Sequence, residues 1–232
     1  MGAISLFGVA ESLLRSPEHN CTVAGVLLPF SAVFSPSTIH PLQSGEPNCQ
    51  PGSHPFHPGD TTLTRQTLEV LREHGLGFCT LSKGGQRSLG CIDLFRRETD
   101  AYAATLTSLN DAFSREWEPC GALPGDRIAA LKAFHAQGIF TWVSLEPVLD
   151  VESSLAIVEA THGFVDLFKI GRINYSAFTR TIDWRSFTER MIELCSRLGV
   201  HHYVKKDLAC YLSAGYPNPV RVQQHHGSRD SR

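Results

Sequence analysis

An α/β fold built on a parallel sheet is what this sequence predicts, and three features carry that reading. Five apolar, strand-like runs, at 76–83, 102–108, 139–146, 165–172 and 200–206, each end in a polar or charged residue. A stretch with helical spacing precedes each run. The runs recur about every thirty residues, the length of a strand with its crossover helix. In a parallel sheet or barrel, ligands collect at the carboxyl ends of the strands. Those ends supply Lys83, Thr107, Ser144, Glu146, Lys169, Arg172 and Lys205.

The elements follow in order. Residues 1–15 are compatible with a short amphipathic helix. Residues 35–60 shift to Pro, Ser, Gly and His and read as loop or disorder. In TLTRQTLEVLREHG, Leu63, Leu68, Val70 and Leu71 fall near helical spacing, with a Thr or Asp cap before them and Gly75 as the stop. LGFCTLSKGG is a buried strand ending at Lys83, followed by a glycine turn. CIDLFRRE reads as a short helix and AYAATLTSLN as the next strand. PGDRIAALKAFHAQG gives the clearest helix: Pro124 near its start, an Ile128, Leu131 and Phe134 stripe, and Gly138 as the stop. IFTWVSLEPV is a continuous apolar strand of the parallel type. SSLAIVEATHG, FVDLFKIGRIN, IDWRSFTERMIELCSRLG and VHHYVKKDL complete the alternation, with Asp183 capping the long helix. The tail after Pro217 reads as disordered. A closed eight-strand barrel takes about 250 residues. A partial barrel suits 232 residues better, and a doubly wound open sheet is the alternative.

Composition limits the partners. A hydrophobic share of 42% and a charged share of 19% are globular values. A net charge of −2 gives no footing for a nucleic-acid-coating protein or a polybasic membrane binder. Seven cysteines without a CxxC pair argue against a secreted disulfide framework and for a reducing compartment. The N-terminus has no basic n-region, and the longest apolar stretch, 23–34, contains Pro29 and is too short to span a bilayer. A cytoplasmic protein is expected.

Several residues have the chemistry for a site. Lys83 beside Gly84 and Gly85 suits a carboxylate or phosphate, or is a solvated turn lysine. Glu146 follows an apolar run and precedes a proline. It suits an amine or hydroxyl, acts as a base, or pairs with a neighbouring cation. Ser144 faces the same side two residues earlier. Lys169, flanked by apolar residues, calls for a carboxylate partner, and Glu146 on the strand before it in sequence is the natural candidate; the alternative is a Schiff-base lysine. Glu118 and Arg127 are expected to pair and tie a loop to the next helix. The histidines make no metal signature, and no nucleophile elbow or P-loop is present. Most cysteines read as small core residues.

Taken together, HPFHPGDTTLTRQTLEVL, TLSKGGQRSL, SREWEPCGALPGDRIAALKAFHAQGI, TWVSLEPVLD, DLFKIGRINY and HHYVKKDL resemble radical S-adenosylmethionine proteins of the spore photoproduct lyase-like group, also called DNA repair photolyases. The resemblance covers about residues 53–212. It implies a partial TIM-type (β/α)6 barrel. It further implies a CxxxCxxC loop holding a [4Fe–4S] cluster whose open iron binds S-adenosylmethionine, the source of a 5′-deoxyadenosyl radical. On the same grounds Lys83, Thr107, Ser144, Glu146 and Lys169 fall on the cofactor side, and nucleic acid enters as a partner.

The sequence departs from the pattern at the cluster loop. No CxxxCxxC occurs in it. Residues 1–52 do not resemble the family's first strand and loop, as if the chain began just after the motif. The expected layout is a divergent segment over 1–52, a barrel over 53–212 and a tail over 213–232. The leading expectation is therefore a barrel of this family without its cluster loop, inactive as this polypeptide, with a residual S-adenosylmethionine pocket. Two alternatives are an α/β-barrel enzyme using Lys83, Glu146 and Lys169 on a small anionic substrate, and a non-catalytic module that docks through its first 52 residues.

Overall fold

The computed structural model describes Phe56, residues 61–172 and 180–212, and the backbone of Thr22, Val23, Val26 and Leu27. The helix expected over 1–15, the tail beyond 212, and the 35–60 loop other than Phe56 lie outside the described residues. Within that loop, Phe56 is fully buried in the main core.

All five apolar runs form strands. They are β3 (Cys79–Ser82), β4 (Ala101–Thr105), β5 (Phe140–Ser144), β6 (Leu167–Ile170) and β7 (His201–Val204), each shorter than the run that predicts it. They pair in parallel, in chain order. A two-residue hairpin, β1 (Thr22–Val23) and β2 (Val26–Leu27), adds antiparallel to β3, which the sequence reading missed. Strand order never reverses, so the sheet has no doubly wound switch point.

The crossovers are α1 (Thr62–Glu73), a 3-10 helix (Gly85–Leu94), α2 (Asp111–Trp117), α3 (Pro124–Ala136), α4 (Val151–Thr161), α5 (Trp184–Leu198) and the short α6 (Lys206–Ala209). Two depart from expectation. The helix expected at CIDLFRRE starts earlier, is 3-10, and ends before Phe95. Helix α2 was not foreseen; the Asn110 side chain caps it by accepting from the Phe113 N–H at 3.0 Å. Asp183 caps α5 as expected, accepting from the Ser186 N–H at 3.1 Å. Thr61 precedes α1 without a side-chain cap, and Leu63 and Val70 stay exposed while Leu68 is buried.

Period-2 alternation sorts the strand side chains into two cores. The larger one joins Phe78, Tyr102, Ala104, Val143, Phe168 and Val204 to the helices. In it the rings of Tyr102 and Phe134 stack at 3.9 Å, with Phe95 edge-on to Phe134. The smaller one contains only strand residues, among them Cys79, Ala101, Ala103, Trp142 and Leu167. Among the described residues helices thus cover one face alone, the arrangement of a barrel wall.

A buried ion network fixes the β3 and β4 ends to α3. Arg127 is 1% exposed. Its Nη1 donates to Glu118 Oε2 at 2.5 Å and to the Thr105 carbonyl at 2.9 Å, and its Nε to the Ala122 carbonyl at 2.7 Å. Lys83 Nζ lies 2.9 Å from Glu118 Oε1. The expected Glu118–Arg127 pair is therefore present, and Lys83 joins it. Burial alone would raise the Glu118 carboxyl, but Lys83 and Arg127 outweigh it and hold it below its ordinary 4.5.

Replacing Arg127 by Met leaves the Glu118 carboxylate short of a partner, and urea unfolding should show a loss of about 3–5 kcal/mol. Because the folded carboxyl is depressed, its contribution is complete above about pH 4.5 and is lost as pH falls through the folded value. Glu118→Gln should flatten that part of the stability–pH curve.

Candidate functional site

Strand register stacks the inner-face residues in layers. The lower layer, Leu81–Ala103–Trp142–Leu167, is apolar. Above it runs a polar layer, Thr105–Ser144–Lys169–Tyr203, each residue paired with the next. The ladder continues one residue beyond the strands: Leu106 N–H donates to the Ser144 carbonyl, Leu145 N–H to that of Lys169 and Lys205 N–H to that of Ile170, at 2.9–3.0 Å. That continuation carries Thr107, Glu146, Gly171 and Lys205 to the mouth.

At the mouth, the Glu146 carboxylate and the Lys205 ammonium form an ion pair. Both side chains are less than one-fifth exposed. The pair joins the ends of β5 and β7 by passing over β6, where the residue is Gly171. A Cβ at Gly171 would lie 2.7 Å from Lys205 Cδ and 3.0 Å from Glu146 Cδ. Glycine is required by the two side chains that cross it, not by backbone strain. Burial lowers the Lys205 ammonium to about 8, with Asp207 acting the other way; the carboxylate in contact favours keeping the proton. The Glu146–Pro147 peptide is cis. Beside the pair, Arg172 donates to Tyr211 Oη at 2.8 Å.

In the layer below, Lys169 Nζ sits 3.6 Å from the Trp142 ring centroid. The indole N–H of Trp142 donates to Cys79 Sγ at 3.0 Å on the lower side. Burial lowers the Lys169 ammonium, and pushes the Cys79 thiol up to about 11.

The five sequence-derived site residues separate accordingly. Ser144 and Lys169 are neighbours in register. Glu146 reaches the same opening one layer higher. Glu146 does not serve Lys169, as expected from sequence; it pairs with Lys205, because two steps along a strand carry it past the Lys169 layer. Thr107 is 2% exposed, and its hydroxyl has no hydrogen bond to a described residue. Lys83 pairs with a carboxylate of the protein itself, that of Glu118. Its glycine turn is shaped by a protein contact: Gly85, at φ +58°, leaves no room for a Cβ beside the Asp126 carboxylate, which accepts from the Gln86 N–H. Trp142, Gly171 and Tyr203 were missed as site residues, and Lys205 was named only as a strand-end residue, without its partner. The glycine after FKI, opposite an EP and a KK at the neighbouring strand ends, was the available signal.

Among the described residues no group of three or more His, Cys, Asp or Glu side chains could hold a metal. Cys79, Cys91 and Cys195 are buried and Cys210 exposed, all as free thiols. They lie on β3, the 3-10 helix, α5 and the C-terminal end of α6, so they do not present three thiolates from one loop. The residues described do not fit a [4Fe–4S] cluster. No described helix is long and apolar enough to cross a membrane.

No family model matches this sequence, and no curated protein matches it. Its fold is similar to that of Streptococcus suis SuiB bound to S-adenosylmethionine, with a TM-score of 0.53 at 11% identity. SuiB bound to its precursor peptide SuiA gives 0.54 at the same identity. The first alignment covers 67% of this chain and 39% of SuiB, so the chain spans about two fifths of that protein's length. At that identity the similarity establishes the α/β barrel-type fold.

Gly171→Ala should drive Glu146 and Lys205 apart. A loss of about 1–3 kcal/mol in chemical denaturation is expected. An unchanged denaturation midpoint would show that the crossing over Gly171 is not tight.

Proposed function

We propose that this chain is a radical S-adenosylmethionine-type barrel of the spore photoproduct lyase-like group whose mouth binds S-adenosylmethionine. One observation carries this: the polar layers lie at the carboxyl ends of a singly wound parallel sheet whose fold matches that of a protein bound to S-adenosylmethionine. The motif series WEP, R, AL, GI and SLEPV gives independent support from sequence.

Each mouth residue then has a task. The Glu146 carboxylate accepts from an ammonium or a ribose hydroxyl. Lys205, released from Glu146 in proportion, meets ligand anionic charge. The buried Thr107 hydroxyl gains the hydrogen-bond partner it lacks among the described residues. Lys83 acts through Glu118, setting the position of the β3 end, and does not touch the ligand.

The family's reductive cleavage needs three thiolates from one loop. This sequence has no CxxxCxxC, so no step of that chemistry is assigned to it. In this reading the polypeptide binds the cofactor without cleaving it.

Titration calorimetry with S-adenosylmethionine tests the pocket. Saturable binding is expected, weakened about tenfold by Glu146→Gln, or ~1.4 kcal/mol. Folded protein that shows no binding would remove the proposal. Iron and sulfide assays after anaerobic reconstitution test the rest: a stoichiometric cluster with reductive cleavage would overturn the non-cleaving reading.

A further inference from the structure

Helix α6 is a single turn of four residues, too short to be stable by itself. Its attachments hold it. Leu208 is fully buried, and Ala209, Tyr211 and Leu212 pack against the main core. Lys205 is the joint to the sheet. Its N–H donates to the Ile170 carbonyl of β6, and its own carbonyl accepts from the Leu208 and Ala209 N–H groups at 3.0 and 2.9 Å. Arg172, at the end of β6, is a further attachment. It donates to Tyr211 Oη at 2.8 Å and lies 4.0 Å from Asp207 Oδ2, in the first turn of α6.

Asp207 therefore stands between two cations. Arg172 faces it at a distance longer than a hydrogen bond, and Arg172 Nε has no hydrogen bond to a described residue, so that contact is loose. On its other side Asp207 acts on the ammonium of Lys205, two residues before it. That ammonium is in contact with Glu146. Because the Lys205 side chain is less than one-fifth exposed, water does not replace Glu146 as its counter-charge when a ligand cation takes the carboxylate. A carboxylate within reach does, and Asp207 is that group. An ammonium has three donors, so Lys205 meets a ligand anion and Asp207 together. Drawing Asp207 towards Lys205 takes it from Arg172 and shifts the turn that leads to Tyr211.

We propose that α6 is coupled to the mouth: a ligand cation that takes over the Glu146 carboxylate turns the Lys205 ammonium to Asp207 and loosens α6 from Arg172 and Tyr211. Occupancy of the mouth is thereby transmitted to the chain that follows β7. Only the identity of the ligand, S-adenosylmethionine, rests on the function proposed for the mouth.

Hydrogen–deuterium exchange of the full chain, read by mass spectrometry, tests the coupling, with β4 and β5 amides as the reference for global opening. Glu146→Gln should speed exchange of the 208–212 amides about threefold or more and leave the reference unchanged. Lys205→Met removes the ammonium that draws Asp207, so exchange there should stay at the parent's rate. The double variant should match Lys205→Met and not Glu146→Gln. A pair that only tethers α6 speeds exchange equally in both single variants; that result overturns the proposal, as does an unchanged rate in Glu146→Gln. Gly171→Ala separates the pair with both charges kept. It should reproduce the acceleration, and it decides the matter if Glu146→Gln does not fold. Saturating S-adenosylmethionine should speed the same amides in the parent and add nothing in Glu146→Gln. Binding that leaves those amides unchanged overturns the coupling and keeps the cofactor reading. Absence of binding, with acceleration in Glu146→Gln that the double variant loses, keeps the coupling and removes the cofactor reading.

Discussion

A side chain on a β-strand can point to one of two faces, and that alternation governs everything else in this molecule. One face carries Tyr102, Val143 and Phe168 into the helices. The other carries Cys79, Ala103, Trp142 and Leu167 into a core made of strand residues alone. Among the described residues the helices occupy a single face, and the opposite face is packed by strand side chains. Only residues of one parity can reach the opening. Ser144, Glu146, Lys169 and Lys205 all have it, and so does Gly171, where the absence of a side chain matters as much as the presence of the others.

Two carboxylates, Glu118 and Glu146, show how the fold handles charge. Glu118 has two cations and serves as an internal joint: one lysine from the end of β3, one arginine from α3 that also reaches the Thr105 carbonyl. It is 6% exposed and gains nothing from solvent, so its partners must supply what water would. Glu146 has one cation in contact and more exposure, at the opening. The first arrangement suits permanence. The second suits exchange, since a ligand bringing its own charges can replace one partner at a time. Geometry thereby separates a structural ion network from a binding one, although both join a glutamate to a strand-end lysine.

The parallel strands were legible because each is a continuous apolar run bounded by turn residues, and α3 because Pro124 and Gly138 mark its ends. Helix α2 was less visible, being seven residues long with its signal in the Asn110 cap. The partner of Lys169 could not be read from sequence. Adjacency of two strands does not say how far along each strand a side chain stands, and one layer of offset sends Glu146 across to β7. Likewise the double glycine after Lys83 signals close approaches without saying to what; Gly84 lies against Phe56 and Gly85 against the Asp126 carboxylate, both distant in sequence. The layers of the candidate site needed register, which follows from pairing and not from composition.

Strand order equal to chain order bears on how the molecule comes to exist. Each parallel strand after β3 finds its partner in the unit made just before it, so no strand waits for a distant segment to be synthesised. Loop-closure entropy stays small at every addition, which favours growth of the sheet from one end as the polypeptide emerges. Until the next unit arrives, the newest strand exposes a row of unpaired amides and carbonyls. Assembly therefore proceeds with one vulnerable edge that moves along the sheet, and β7 is where that edge comes to rest among the described strands.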